Sequence, residues 1–137
     1  MEVSFHSQEE KFNLNNPEKI ISWLKEVCKK EDVIVRSLDY IFVSDKYLLD
    51  INLKYLNHDT YTDIITFNLG DGNDIEGEVY ISIDRVIENS QKFKVEQTQE
   101  LNRVVLHGLL HLLGYDDHTP EEKAAMRLKE DQYLAVL

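Results

Sequence analysis

Hydrophobic positions recur along the chain with two different spacings, which predict a mixture of helices and strands. Apolar stripes at helical spacing alternate with short runs that are β-branched or alternate with polar residues. This order favours an α+β fold, a small mixed β-sheet covered by helices. Helices are predicted over about 17–30, 45–56, 84–92, 96–113 and from 120 to the C-terminus, and strands over 3–5, 33–37, 40–43, 63–67 and 77–83.

Several helix ends carry their own sequence signals. Asn16 before Pro17 predicts a capped helix start, because Asn accepts backbone hydrogen bonds and Pro suits the first helical position. Ser44 is predicted to cap the second helix in the same way. Thr119 with Glu122 three residues later predicts a capping box at the start of the last helix.

Length and composition indicate one ordinary globular domain over 1–137. The chain is 42% hydrophobic and 30% charged, and no apolar run approaches the roughly 20 residues of a membrane span. The first residues lack a basic stretch followed by an apolar one, so we expect no signal peptide and a cytoplasmic location. The single cysteine, Cys28, lies on an amphipathic helix and is predicted to be a small core residue.

Three of the five histidines lie within residues 107–118. His107 and His111 are four residues apart in an apolar run, a spacing that places both imidazoles on one helical face. Gly114 is expected to end this helix, so that His118 or an acid can return toward the same ion. Three protein ligands with one open position are typical of a catalytic zinc site. The alternative is a pair of core histidines satisfied by hydrogen bonds.

The residue after His107 narrows the chemistry. The commonest zinc peptidases carry His-Glu-x-x-His with the Glu as general base, whereas this chain has Gly108 at that position. A glycine inside a helix costs roughly 1 kcal/mol relative to Ala, so Gly108 predicts a close approach of backbone or substrate. A peptidase is therefore disfavoured, and any general base must come from elsewhere.

Three blocks of sequence together resemble one known family. Residues 107–116 resemble the His-Gly-x-Leu-His-Leu-x-Gly-Tyr-Asp-His signature of the YbeY-type endoribonucleases, the rRNA maturation factors of bacteria. Ile51–Tyr55 with Thr62–Phe67 and Gly77–Ser82 resemble two further blocks of that family, and the resemblance covers roughly residues 38–131. It implies a zinc-dependent, single-strand-specific endoribonuclease acting in small-subunit rRNA maturation and ribosome quality control.

The resemblance also implies one Zn²⁺ per chain, bound by the three signature histidines. The first two correspond to His107 and His111. The family has its third histidine directly after Gly-Tyr-Asp, where this chain has Asp117 followed by His118. We predict His118 as the third ligand, because a loop can absorb one extra residue. Asp117 is the alternative, since a carboxylate oxygen also suits zinc.

A second departure from the family pattern concerns the residue expected to bind a phosphate of the substrate. The family commonly places Arg after the Tyr of the second block, where this chain has Leu56, which cannot bind a phosphate. Arg103, four residues before His107, is the predicted replacement, and a salt bridge to Glu100 or Glu96 is its alternative.

Asp63 is predicted to line the catalytic cleft, with an ordinary turn acid as the alternative. Glu100 could orient a ligand histidine or Arg103, and His58 is predicted at the surface.

Net charge limits how the chain can bind RNA. A net charge of −11 argues against a broad electrostatic grip on nucleic acid and leaves room only for local cations. The expected partners are single-stranded RNA of an rRNA precursor and ribosomal proteins or the small subunit, with no membrane. Two other function classes stay open: a zinc hydrolase of another substrate class, and a non-catalytic ribosome-assembly factor with a structural metal.

Overall fold

The computed structural model describes residues 1–8, 12–57, 62–71 and 74–137. Within them the chain forms four strands and five helices, which confirms the predicted α+β fold. In chain order these are β1 (Glu2–Ser7), α1 (Pro17–Lys30), β2 (Val35–Val43), α2 (Asp45–Leu56), β3 (Ile64–Asn68), β4 (Ile75–Ser82), α3 (Ile83–Phe93), α4 (Gln97–Leu112) and α5 (Pro120–Leu134).

The four strands form one mixed sheet in the order β1-β2-β4-β3. β1 and β4 both run parallel to β2, whereas β3 is antiparallel to β4 at one edge. The two strands predicted over 33–37 and 40–43 are a single strand, because β2 continues through Leu38 and Asp39. As the second strand of the sheet, β2 has neighbours on both sides, and its inward side chains are correspondingly apolar.

Both faces of the sheet are covered, but unequally. On one face the main core joins α1 and α4 to the strands, and Leu24, Leu38, Val79 and Leu109 are fully buried there. On the other face α2 encloses a smaller apolar cluster of Val43, Leu48, Ile51 and Ile65. Successive side chains of a strand point to opposite faces, which lets the same strands serve both clusters.

Helix α4 lies unusually close to the sheet at Gly108. A Cβ at this position would be 2.8 Å from Val79 Cγ1 and 2.9 Å from Ile64 Cδ1, both too short for real contacts. A close approach at Gly108 is therefore present, and the neighbours are side chains of β3 and β4 rather than the predicted backbone or substrate. The Tyr40 hydroxyl also links the sheet to α4, since it donates to the Val105 carbonyl at 2.7 Å. These contacts fix the helix that carries His107.

Two predicted helix caps are present and one is wrong. The Ser44 side chain accepts from the Tyr47 amide at 3.1 Å, and Thr119 with Glu122 forms the predicted capping box. Asn16 precedes α1 as predicted, but its φ of 51° is left-handed and its side chain makes no capping hydrogen bond. A capping side chain normally sits on extended backbone, from which it reaches the first free amides.

Some single-residue predictions also have outcomes. Cys28 is buried in the core as predicted, and burial raises the pKa of its thiol to about 11. The prediction for His58 lies outside the described residues. Among the helices of the described ranges, none is long and apolar enough to cross a membrane.

Candidate metal centre

The C-terminal half of α4 presents two imidazoles side by side. The ring centroids of His107 and His111 are 4.5 Å apart, and the ring planes are nearly perpendicular at 83°. As the i, i+4 spacing predicts, both rings project from one face of the helix. Each side chain keeps about a fifth of its surface exposed, so the pair faces a solvent-accessible cleft.

The chain turns back on itself after α4. Gly114 has a φ of 107°, a conformation that favours glycine, and the Tyr115 amide donates to the Leu110 carbonyl at 3.0 Å. This turn brings Asp117 over the histidine pair. Its Oδ2 atom lies 3.2 Å from His107 Nε2 and 3.6 Å from His111 Nε2.

The returning loop is anchored to the rest of the fold through Tyr115. The Tyr115 hydroxyl donates to the carboxylate of Glu31, directly after α1. The same carboxylate accepts from the Tyr133 hydroxyl and from Lys129 Nζ at 3.0 Å, both on α5. Burial raises the pKa of Glu31, but these three donors outweigh it and hold that pKa below its usual value. The loop that carries Asp117 is thus fixed between α1 and α5.

The third position of the candidate site is occupied by Asp117. One ligand atom from each of His107, His111 and Asp117 lies within 4.8 Å of the others. His118, the predicted third ligand, is exposed and is not part of this group. The structure thus brings together two of the three predicted ligands and adds the carboxylate that was their alternative. The His118 assignment stays a prediction.

A buried carboxylate on α5, that of Glu130, contacts the Nδ1 atom of His107. Glu130 is only 4% exposed, and its Oε2 atom lies 2.6 Å from His107 Nδ1. The sequence analysis missed Glu130, which is 23 residues away from His107. A signal was nevertheless present: Met126, Glu130 and Tyr133 follow helical spacing on the buried face of α5, so that a carboxylate stands where an apolar residue is expected.

Arg103 lies one turn before His107 and is engaged by α5. Its Nη1 atom is 2.9 Å from Glu130 Oε1, and its Nη2 atom is 2.7 Å from Asp131 Oδ1. The alternative predicted for Arg103, an ion pair, is therefore present, with partners on α5 rather than Glu100 or Glu96. Only 15% of the Arg103 side chain is exposed, so it faces the cleft with little free surface.

Two members of the candidate metal-binding group, His107 and Asp117, line a cleft of about 290 Å³. Asp63 and Glu100 line this cleft together with His107 and Asp117. Burial raises the pKa of both Asp63 and Glu100, and mutual repulsion between carboxylates adds to it. Two cationic side chains that the sequence analysis did not single out, Lys123 and Arg127, also line the cleft.

Burial and the surrounding charges shift the pKa of His107 in opposite directions. Burial lowers the pKa of His107, but the hydrogen bond with Glu130 and the charges of Glu130, Asp117 and Asp63 outweigh it and raise the pKa above its usual value. The imidazole lies in a negative environment. Such an environment favours a cation at this position, whether a proton or a metal ion.

The donor set fits a divalent transition metal. Two imidazole nitrogens and one carboxylate oxygen converge from two sides, and zinc is commonly bound by such nitrogen and oxygen ligands. The partial exposure of all three side chains leaves the open face that a catalytic site requires. A larger cavity of about 720 Å³ between α1, α3 and α4 has no histidine among the described residues that line it.

Comparisons with known proteins point to one family. The sequence model of the family described as Endoribonuclease YbeY matches residues 2–137. Proteins named Endoribonuclease YbeY from Christiangramia forsetii and Cytophaga hutchinsonii are 42% and 45% identical over 135 residues, and each alignment spans 98% of this chain and 94% of the relative.

A solved structure shares the fold. The solution structure of a Thermotoga maritima protein superposes with a TM-score of 0.69 at 31% identity, covering 96% of this chain and 86% of that one. A match to the family over almost the whole chain, together with the relatives' identity and coverage, goes well beyond a shared fold. The chain belongs to the Endoribonuclease YbeY family.

Proposed function

We propose that this chain is a zinc-dependent, single-strand-specific endoribonuclease that acts in rRNA maturation. The endoribonuclease class is supported by family membership over the whole chain. The observation that carries the metal dependence is the group of His107, His111 and Asp117, whose ligand atoms all lie within 4.8 Å of one another. Zinc is the proposed metal because nitrogen and oxygen donors in a three-ligand set are typical of its catalytic sites.

Asp117 is the third ligand in this proposal. Its carboxylate lies within 3.6 Å of both imidazole Nε2 atoms, whereas the His118 side chain is exposed. Asp117 also occupies the position where the resemblance placed the third family histidine, so that the loop needs no extra residue. The Tyr115–Glu31 hydrogen bond two residues earlier favours the same loop path.

Cleavage of an RNA phosphodiester needs a nucleophile, stabilisation of charge at phosphorus and protonation of the leaving oxygen. His107, His111 and Asp117 would hold a divalent cation, which would supply Lewis acidity toward a phosphoryl oxygen or a water. Asp63 is the candidate for proton transfer, since it lines the cleft and burial raises the pKa of its carboxyl above its usual value. Glu100 lines the same cleft, and burial together with the charge of Asp63 raises the pKa of its carboxyl.

Arg127 and Lys123 are the proposed phosphate contacts. Both line the cleft and are exposed, and the Arg127 Nε atom is 3.9 Å from Asp131 Oδ1. Arg103 was predicted for this role, and that prediction stays untested. Its two short ion pairs on α5 leave it less free to contact RNA than the exposed Arg127. Cations at the rim compensate locally for the net charge of −11.

The cellular setting follows from the same proposal. The substrate is single-stranded RNA of an rRNA precursor, the partners are ribosomal proteins or the small subunit, and the location is the cytoplasm. A cleft of about 290 Å³ is too small for an RNA duplex. The proposal therefore requires that the RNA is single-stranded at the cleavage point.

The deciding experiment is cleavage of matched single-stranded and duplex RNA by purified protein, with chelator and after zinc is restored. We expect cleavage of the single strand only, loss with chelator and recovery with zinc. His111→Ala should abolish cleavage, whereas His6→Ala, an exposed histidine on β1, should not. Metal binding without RNA cleavage would contradict the endoribonuclease proposal and favour a structural metal or another hydrolase substrate.

A further inference from the structure

We infer that Glu130 and Arg103 are positioning residues: Glu130 holds the His107 ring in the orientation and tautomer that present Nε2 to a metal, and Arg103 holds Glu130. The inference rests on the proposed metal centre and extends it to α5. It assigns Arg103 a role in building the site, which differs from the phosphate contact predicted from its sequence position.

The first step is the hydrogen bond between His107 and Glu130. Glu130 Oε2 lies 2.6 Å from Nδ1 of His107, while Nε2 of the same ring faces Asp117 at 3.2 Å. A carboxylate can only accept a hydrogen bond, so the neutral ring must carry its proton on Nδ1. The lone pair of Nε2 is then directed toward His111 and Asp117, where the other ligand atoms converge.

The second step is the bond that fixes Glu130 itself. Its other oxygen, Oε1, is 2.9 Å from Arg103 Nη1, so the two oxygens serve different partners at the same time. The carboxylate therefore cannot rotate without losing one of two charge-assisted hydrogen bonds. Arg103 is restrained in turn by Asp131, 2.7 Å from its Nη2 atom.

The third step is the burial of the pair. Glu130 is 4% exposed and the Arg103 side chain 15%, whereas Asp131 is about half exposed. Desolvating a buried ion pair costs free energy, so its presence is weak evidence that it stabilises the fold. A positioning role explains why these two charges are buried. Carboxylate partners of metal-binding histidines fix the ring and raise its basicity, and their loss typically weakens metal affinity 10–100-fold.

The test combines zinc affinity with the tautomer of His107. Zinc dissociation constants are measured by competition with a chelator for the wild type, Glu130→Gln, Glu130→Ala and Arg103→Ala. We expect about 10–100-fold weaker binding for Glu130→Ala and a smaller loss for Glu130→Gln, which keeps a neutral acceptor. Glu121→Gln, an exposed acid in the first turn of α5, is the matched control and should bind zinc as the wild type does.

The second measurement needs neither metal nor RNA. Long-range proton–nitrogen NMR spectra of the metal-free protein, at a pH where the ring is neutral, report which His107 nitrogen is protonated. We expect Nδ1–H in the wild type and a shift toward Nε2–H in Glu130→Ala. If Glu130→Ala does not fold, because it leaves Arg103 without its buried partner, Glu130→Gln and the double variant Arg103→Met/Glu130→Gln decide by the same two measurements.

The outcomes separate this inference from the proposed function. Unchanged zinc affinity and an unchanged tautomer in folded Glu130 variants would overturn the inference, whether or not the protein cleaves RNA. Weakened zinc binding in Arg103→Ala supports it, whereas unchanged zinc binding with weakened RNA binding would return Arg103 to a phosphate contact. A wild type with Nδ1–H on His107 and no RNA cleavage would contradict only the endoribonuclease proposal.

Discussion

The Asp117 carboxylate lies 3.2 Å from His107 Nε2, although one residue is in the helix and the other is in the loop that follows the glycine turn. The neighbouring His118 is exposed. Geometry therefore ranks the two candidates in the order opposite to the sequence-based prediction, in which the loop absorbs one extra residue and His118 is the third ligand. We expect Asp117→Ala to weaken zinc binding at least about tenfold and His118→Ala to leave it nearly unchanged, since outer partners alone are worth that much.

Chelator competition on the two single variants and on Asp117→His decides between the candidates. Asp117→His should retain tight zinc binding, because imidazole at this position completes a three-histidine site. A larger loss in His118→Ala than in Asp117→Ala would transfer the third-ligand role to His118.

The close contact at Gly108 predicts a stability effect. Gly108→Ala places a methyl group 2.8–2.9 Å from side chains of β3 and β4, which pushes α4 away from the sheet. Overpacking of this kind costs about 1–3 kcal/mol, and the roughly 1 kcal/mol that Ala gains over Gly in a helix offsets only part of it. Urea unfolding should show a lower free energy of unfolding, whereas Thr98→Ala, exposed on the same helix, should change it little. An equal or higher stability of Gly108→Ala would refute the tight packing.

The Glu31 network predicts a pH-dependent contribution to stability. Its three donors lower the folded-state pKa, so the carboxylate stabilises the fold above the unfolded pKa of about 4.3, and this stability is lost as pH falls through the folded value. Glu31→Gln should lower the free energy of unfolding by about 1–3 kcal/mol at pH 7.

Urea unfolding at pH 7 and at successively lower pH values below 4.3 measures this contribution. The difference between wild type and Glu31→Gln should shrink as the pH falls. Glu26→Gln, exposed on α1, is the control and should show little effect at any pH. A difference for Glu31→Gln that is constant across this range would mean that the carboxylate charge is not responsible.

The cations of the cleft predict how RNA binding responds to salt. Each phosphate contact on a single strand contributes roughly 0.7 to the slope of log K against log salt, so a few contacts give a shallow slope. Arg127→Ala should weaken binding and reduce the slope by about that amount. Arg36→Ala removes an exposed arginine paired with Glu76 on β4, away from the cleft, and should leave the slope unchanged. Equal slopes for Arg127→Ala and the wild type would exclude Arg127 as a phosphate contact.

Local sequence signals predicted most of the fold. The Ser44 cap, the Thr119–Glu122 capping box and the turn at Gly114 depend on a few neighbouring residues, and all three are present. The two imidazoles on one face of α4 follow from helical spacing alone. Asn16 differs because its backbone adopts a left-handed conformation, which residue type by itself does not specify.

The parts that the sequence did not predict depend on long-range packing. Glu130 meets His107 only because α5 packs beside α4, and no local pattern relates residues 23 positions apart. The choice between Asp117 and His118 depends on the path of a loop that Glu31, 84 residues away from Tyr115, helps to hold. A one-residue shift in a loop decides which side chain faces the site, and spacing cannot resolve it.

The most direct test of this account is the zinc content per chain at equilibrium, measured for the wild type and for single histidine variants after removal and re-addition of metal. The metal centre predicts one zinc per wild-type chain, close to zero for His107→Ala and His111→Ala, and one for His6→Ala. A zinc content that stays the same in both His107→Ala and His111→Ala would contradict the metal centre and the mechanism built on it.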